Sequence, residues 1–115
     1  MVINERHVDR LSRGFQALSD PTRRAILARL ATGEATVSDL MKPFDLSQPT
    51  ISKHLKVLES AGLIEGGREA QRRPRRLAQN ALKDIADWIE PFRQQWDSRF
   101  TRLEAHLDRI ARKEK

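Results

Sequence analysis

A chain of 115 residues, 38% of them hydrophobic, can bury one substantial core but not a second independent one. It has no cysteine, which excludes disulfides, thiolate metal ligands, cysteine nucleophiles and thiol redox chemistry; its short apolar runs exclude a signal peptide and a membrane span, so a soluble, cytoplasmic protein without a membrane partner is expected. The formal net charge of +6 points to a polyanionic partner, and residues 63–79 alone, with five Lys+Arg against two Asp+Glu, supply three of the six excess charges.

Val8, Leu11, Phe15 and Leu18 recur at helical spacing and predict a first amphipathic helix over 5–18. The next segment, SDPTRRAILARLATGE, opens sharply. Asp20 can accept from the free amides of a first turn, and Pro21 sits where no donor is needed. Gly33 then offers a left-handed stop after the apolar stripe Ile26, Leu27 and Leu30. Thr36 with Asp39 forms the pattern of a capping box before a short helix, Val37 to Lys42, with Val37, Leu40 and Met41 facing inward; Pro43 to Leu46 reads as the turn that ends it.

Ser47 is placed to cap the next helix, which runs to about Ala61 with Pro49 in its first turn and Gly62 as terminator. With Ile51 set at zero and about 100° per residue, Leu55 falls at about 40° and Leu58 at about 340°, a narrow apolar stripe. Pro49, Lys53 and Lys56 lie near the opposite pole, flanked by Thr50 and Ser52, while Gln48 and His54 fall at the edges of the stripe. The outer face of the N-terminal half thus holds hydroxyls and positive charge, and the helix's one acid, Glu59, lies at its far end. A merely solvated face usually mixes Glu with Lys; this one suits a groove in nucleic acid.

Leu63 to Glu65 and Arg75 to Ala78 predict two short strands around a Gly-Gly and arginine-rich tip, with Pro74 limiting the register. From Ala81 onward, Ile85, Ile89, Phe92, Trp96, Phe100, Leu103, Leu107 and Ile110 follow a pattern close to a heptad seam, which Pro91 should bend or break into two helices. Pairing such a seam with a second copy would hide apolar area that a monomer leaves wet.

Two helices joined by a four-residue turn, the second suited to a groove, then a basic hairpin, make a winged helix-turn-helix pattern. The fold expected is mainly α with a small β-hairpin: one domain over 1–115, with the helix-turn-helix at 37–62, the wing at 63–78, and long terminal helices at 5–18 and 81–111. The second helix would lie in the major groove of double-stranded DNA, with Gln48, Thr50, Ser52 and Lys53 reaching base edges and phosphates. The wing arginines would grip phosphates or a narrow minor groove.

The stretches LSDPTRRAIL and SQPTISKHLKVLESAGLI, with the hairpin after them, closely resemble the ArsR family of bacterial winged-helix repressors over about residues 10–78. The resemblance implies a homodimer whose terminal helices pair, with Leu11, Phe15, Ile89, Phe92, Trp96, Phe100 and Leu103 in the interface, and two recognition helices reading a palindromic operator. It assigns base contact to Ser47 through Lys53, backbone contact to His54 and Lys56, and wing contact to Arg68, Arg72, Arg73, Arg75 and Arg76. The chain also departs from the family. Founding members sense metal through Cys-x-Cys on the helix that here reads VSDLMK. A second family pattern uses Asp, His and Glu on the terminal helices; His7, Glu104, His106 and Asp108 invite comparison, but the paired histidines are missing, so no metal and no other cofactor is expected. The aromatic tail resembles a subgroup without known metal ligands; it reads mainly as dimer packing, with a pocket for a small-molecule inducer as the sharper alternative.

No nucleophile stands beside an oriented base and no glycine loop could cradle a phosphate, so an enzyme is not expected. The function read from the sequence is a homodimeric, sequence-specific DNA-binding repressor, with its own gene or a neighbouring one as the target. The alternatives are a non-specific architectural DNA-binding protein and, against the basic wing, a protein-interaction module.

Overall fold

The structure, a computed structural model, describes the backbone of residues 5–66 and 73–113 and the side chains of 10–66 and 73–113. In chain order it contains α1 (Glu5–Leu18), α2 (Pro21–Leu30), α3 (Val37–Phe44), α4 (Gln48–Ser60), β1 (Ile64–Glu65), β2 (Arg76–Leu77) and α5 (Lys83–Lys113). The chain divides into two compact units after Ile85, the boundary falling inside α5. No described helix is long and apolar enough to cross a membrane.

The first unit is organised by polar punctuation between apolar helices. Asp20 accepts the Arg23 amide at 2.9 Å and Pro21 opens α2. Thr36 and Asp39 form the reciprocal capping box, Asp39 N to Thr36 Oγ1 at 3.1 Å and Thr36 N to Asp39 Oδ2 at 2.9 Å. Ser47 caps α4 through the Thr50 amide. Each cap satisfies amides that the helix itself leaves without partners. The helices so bounded bury Ile26, Leu40, Ile51, Leu55 and Leu58 completely, with Leu27, Leu30, Val37, Leu63 and Ile64 around them. Each such side chain contributes about 1.5–3 kcal/mol relative to exposure. Gly14, in the middle of α1, faces Ile85: a Cβ on it would stand 3.0 Å from Cδ1 of that buried side chain.

Two expectations are corrected and one open alternative is decided. Helix α3 does not stop at Lys42 but continues through Pro43 to Phe44, closed by Asp45 in the left-handed conformation at φ 52°. A proline in the last turn forfeits little beyond its own amide bond, and Asp tolerates positive φ better than most side chains. Of the two outcomes left open at Pro91, the structure has the continuous one: α5 is one helix across the proline. The hairpin is shorter than predicted, pairing Ile64 with Leu77 and Glu65 with Arg76. Its base gains a partner the sequence did not suggest: Ala35, before α3, bridges Arg75 through two backbone bonds of 3.0 and 2.8 Å.

The described residues of the second unit, 86–113, are all helix. Trp88, Phe92, Trp96, Phe100, Leu103, Leu107 and Ile110 are all exposed on it. Arg93 pairs with both Glu90 and Asp97, three and four residues away, and this ladder stabilises the helix.

Candidate nucleic-acid interface

Helix α4 is held from below and behind. Its apolar stripe, Ile51, Leu55 and Leu58, is buried as the helical wheel predicts. Above that stripe Ser47, Lys53 and Lys56 are exposed, while Gln48, Thr50 and Ser52 are half-buried and open on one side. The Ser47 and Thr50 hydroxyls are 2.9 Å apart, so the pair that caps the helix also shares a hydrogen bond at its exposed tip. The three-residue link between α3 and α4, Asp45 to Ser47, and the caps at both of its ends fix the angle at which this face is presented.

His54 belongs to the scaffold side of the helix. Its side chain is only 19% exposed, and Nδ1 lies 4.0 Å from Oδ2 of Asp20, the residue that caps α2. The Asp20 carboxyl is held below the usual carboxylate range, first by the Arg23 amide it accepts and then by charges including His54. The two arginines after that cap act backward, on α1. Arg23 donates Nε to the Ala17 carbonyl at 2.8 Å and Nη2 to that of Gln16 at 3.0 Å, and Arg24 donates Nη1 to that of Leu18 at 2.7 Å. These carbonyls end α1 and lack helical partners, so the motif DPTRR starts one helix and finishes the one before it. Sequence inspection finds the cap but not this second role, since nothing in the spacing shows where a guanidinium folds.

The wing divides the predicted arginines. Arg75 was expected on phosphate; the structure instead buries it at 6% exposure, with Nε donating to Glu59 Oε1 at 2.9 Å and Nη1 to the Arg73 carbonyl at 3.0 Å. It therefore ties the wing to the C-terminal half of α4. Gly66 makes room for it, because a Cβ there would come within 2.4 Å of Arg75 Cδ. Arg73 and Arg76 are exposed, Arg76 in an ion pair with Glu65 at 3.0 Å across the hairpin. Arg68 and Arg72 lie outside the described residues. With Glu59 turned toward Arg75, the outer face of α4 carries no acid.

Of the residues expected at a dimer contact, Leu11 is half-buried and Phe15 exposed on α1. On α5, Ile89 is half-buried, whereas Phe92, Trp96, Phe100 and Leu103 are exposed. Among the described residues no group of three or more His, Asp and Glu side chains gathers where it could hold a metal ion.

Residues 20–65 match the model of the bacterial regulatory protein arsR family. The transcriptional repressor SdpR of Bacillus subtilis is 38% identical over 84 residues, 73% of this chain and 93% of that one. A shorter match, 50% identity over 52 residues, covers 45% of this chain and 49% of the HTH-type transcriptional regulator Rv2034 of Mycobacterium tuberculosis. Among solved structures, an ArsR family transcriptional regulator superposes with a TM-score of 0.66 at 36% identity, covering 85% of this chain and 98% of that one. A homodimeric winged helix-turn-helix DNA-binding domain from Mycobacterium bovis superposes at 0.58, with 30% identity and 81% and 83% coverage. With its winged helix-turn-helix, capped second helix and two-stranded wing, the chain belongs to the ArsR family of bacterial transcriptional regulators.

Proposed function

We propose that the protein is a homodimeric, sequence-specific repressor that binds a palindromic operator, its own promoter region being the first place to look. The observation that carries this reading is the face of α4: Ser47, Lys53 and Lys56 exposed, Gln48, Thr50 and Ser52 accessible beside them, and the helix's one acid withdrawn to Arg75. Hydroxyl, amide and ammonium groups can donate to base edges and phosphates in the major groove. Arg73 and Arg76, with Arg68 and Arg72 of the wing tip, would hold flanking phosphates. Arg75 leaves the contact set and positions the wing instead, and His54 takes a supporting place against Asp20. The exposed apolar stripe of α5 suits self-pairing, which would space two recognition helices about one DNA turn, ~10 bp, or a small multiple apart.

The test is fluorescence anisotropy with duplexes tiled across the DNA upstream of the gene, against random duplex as competitor. A palindromic fragment should bind at least ~10³ times more tightly than random DNA, and the slope of log affinity on log salt should steepen by about 0.9 per phosphate neutralised. Lys53→Ala should weaken binding while leaving the melting temperature nearly unchanged. A specificity ratio near one for every fragment would replace this reading with that of an architectural DNA-binding protein.

A further inference from the structure

Between α1 and α4 lies an open groove of about 610 Å³ whose floor is apolar, formed by Ala17, Val57 and Ala61. Three cations, Arg13 of α1 with Lys53 and Lys56 of α4, stand around it, and among the described residues its lining contains no acid. All three are exposed, and none makes an ion pair with a described residue. Elsewhere in this unit Arg10, Arg75 and Arg76 meet the carboxylates of Asp84, Glu59 and Glu65, while Arg23, Arg24 and Arg29 donate to backbone carbonyls. An apolar floor ringed by unmatched cations asks for one kind of occupant, an apolar body carrying a negative charge. DNA phosphate would satisfy the ammonium groups but leave Val57 and Ala61 against water or sugar. The volume falls within the range of about 300–1,000 Å³ usual for small-molecule sites.

We infer that this groove binds a small amphipathic organic anion, such as an aliphatic or aromatic carboxylate, and that its binding releases operator DNA. Release follows from shared residues. Lys53 and Lys56 belong to the face proposed for DNA, so a carboxylate seated between them and Arg13 neutralises charge that phosphate would otherwise meet and places an anion where the DNA backbone must approach. The two ligands then exclude each other, and each weakens the other's binding by the same factor. The site itself stands independently of the operator reading; only the release of DNA rests on that reading.

The probe is octanoate, with octan-1-ol as the uncharged analogue and sodium chloride matched in ionic strength. Binding to the DNA-free full chain is read first, by amide chemical-shift changes at Ala17, Val57 and Ala61. Octanoate should move these resonances saturably and octanol should not. Operator affinity is read separately by anisotropy, where octanoate at about ten times its own Kd should lower the apparent affinity about tenfold beyond the chloride control. Arg13→Ala, which lies outside the proposed DNA contacts, should keep operator affinity while losing most of the octanoate response. Val57→Ala tests the apolar floor from the other side, weakening octanoate but not DNA. No saturable shift in the DNA-free protein, or an Arg13→Ala protein that responds like the parent, overturns the proposed site. Shifts with no loss of DNA affinity keep the site and overturn the release.

Discussion

Replacing Glu59 with alanine strips the carboxylate from a guanidinium that has little access to water. Arg75 is 6% exposed and donates Nε to Glu59 at 2.9 Å, while Nη1 still reaches the Arg73 carbonyl. A hydrogen bond to a charged group contributes about 1.5–3 kcal/mol, and removing one member of a fully buried pair costs about 3–5 kcal/mol. The Glu59 side chain is 35% exposed, so water can reach the vacated position and the lower figure applies, about 2 kcal/mol. Alanine is a better helix former than glutamate, so propensity works slightly against this loss. For a domain near this size about 2 kcal/mol corresponds to a fall in Tm of roughly 10 °C. The assay is thermal unfolding by far-ultraviolet circular dichroism at fixed protein concentration, since self-association would itself shift Tm. Arg75→Met and the double variant complete a cycle: Glu59→Ala with Arg75→Met should be more stable than Glu59→Ala alone, because no charge is left buried without its partner. A Glu59→Ala protein melting within about 2 °C of the parent, or a cycle whose two changes simply add, would refute the view that this pair anchors the wing.

Two glycines should answer differently to the same change. Gly66→Ala places a Cβ 2.4 Å from Arg75 Cδ and 3.0 Å from the Pro74 carbonyl, and should destabilise by about 1–3 kcal/mol in urea unfolding; Gly14→Ala meets only the movable tip of Ile85 at 3.0 Å and should be near neutral, helped by helix propensity. Asp39 is held below the usual carboxylate range, first by the Thr36 amide and then by its hydroxyl. Its contribution is therefore complete above the ordinary carboxylate pKa and is lost as pH falls through the lowered folded value. Asp39→Asn should lower Tm at neutral pH and flatten the acid limb of a Tm-against-pH curve; an unchanged acid limb would show that the cap is not the group titrating there. Trp96→Ala, which removes an exposed indole from the α5 stripe, should reduce the dimer fraction in sedimentation velocity and operator affinity with it, because two half-sites are held together only by joined protomers.

The sequence by itself determined the elements and their order. Caps and stops are local: Asp20, Thr36 with Asp39, Ser47 and Gly62 act on amides and carbonyls within one turn, and the spacing of Ile51, Leu55 and Leu58 names the buried side of α4 without reference to anything distant. By exclusion the same wheel gives the face proposed for DNA. Pro43, expected in the turn that ends α3, lies inside that helix, and the choice between bend and break at Pro91 is not a local one either, since the cost of each proline depends on how much helix surrounds it. Only the tertiary structure decided what each arginine does. Arg23 and Arg24 fold back on the carbonyls of α1, Arg75 is buried against Glu59 sixteen residues earlier, and Arg13 joins Lys53 and Lys56 around an apolar floor. A guanidinium on a long flexible stem can serve phosphate, carbonyl or carboxylate equally well. Which of these it meets is set by the packing of helices far apart in the chain, and no local pattern of residues records that.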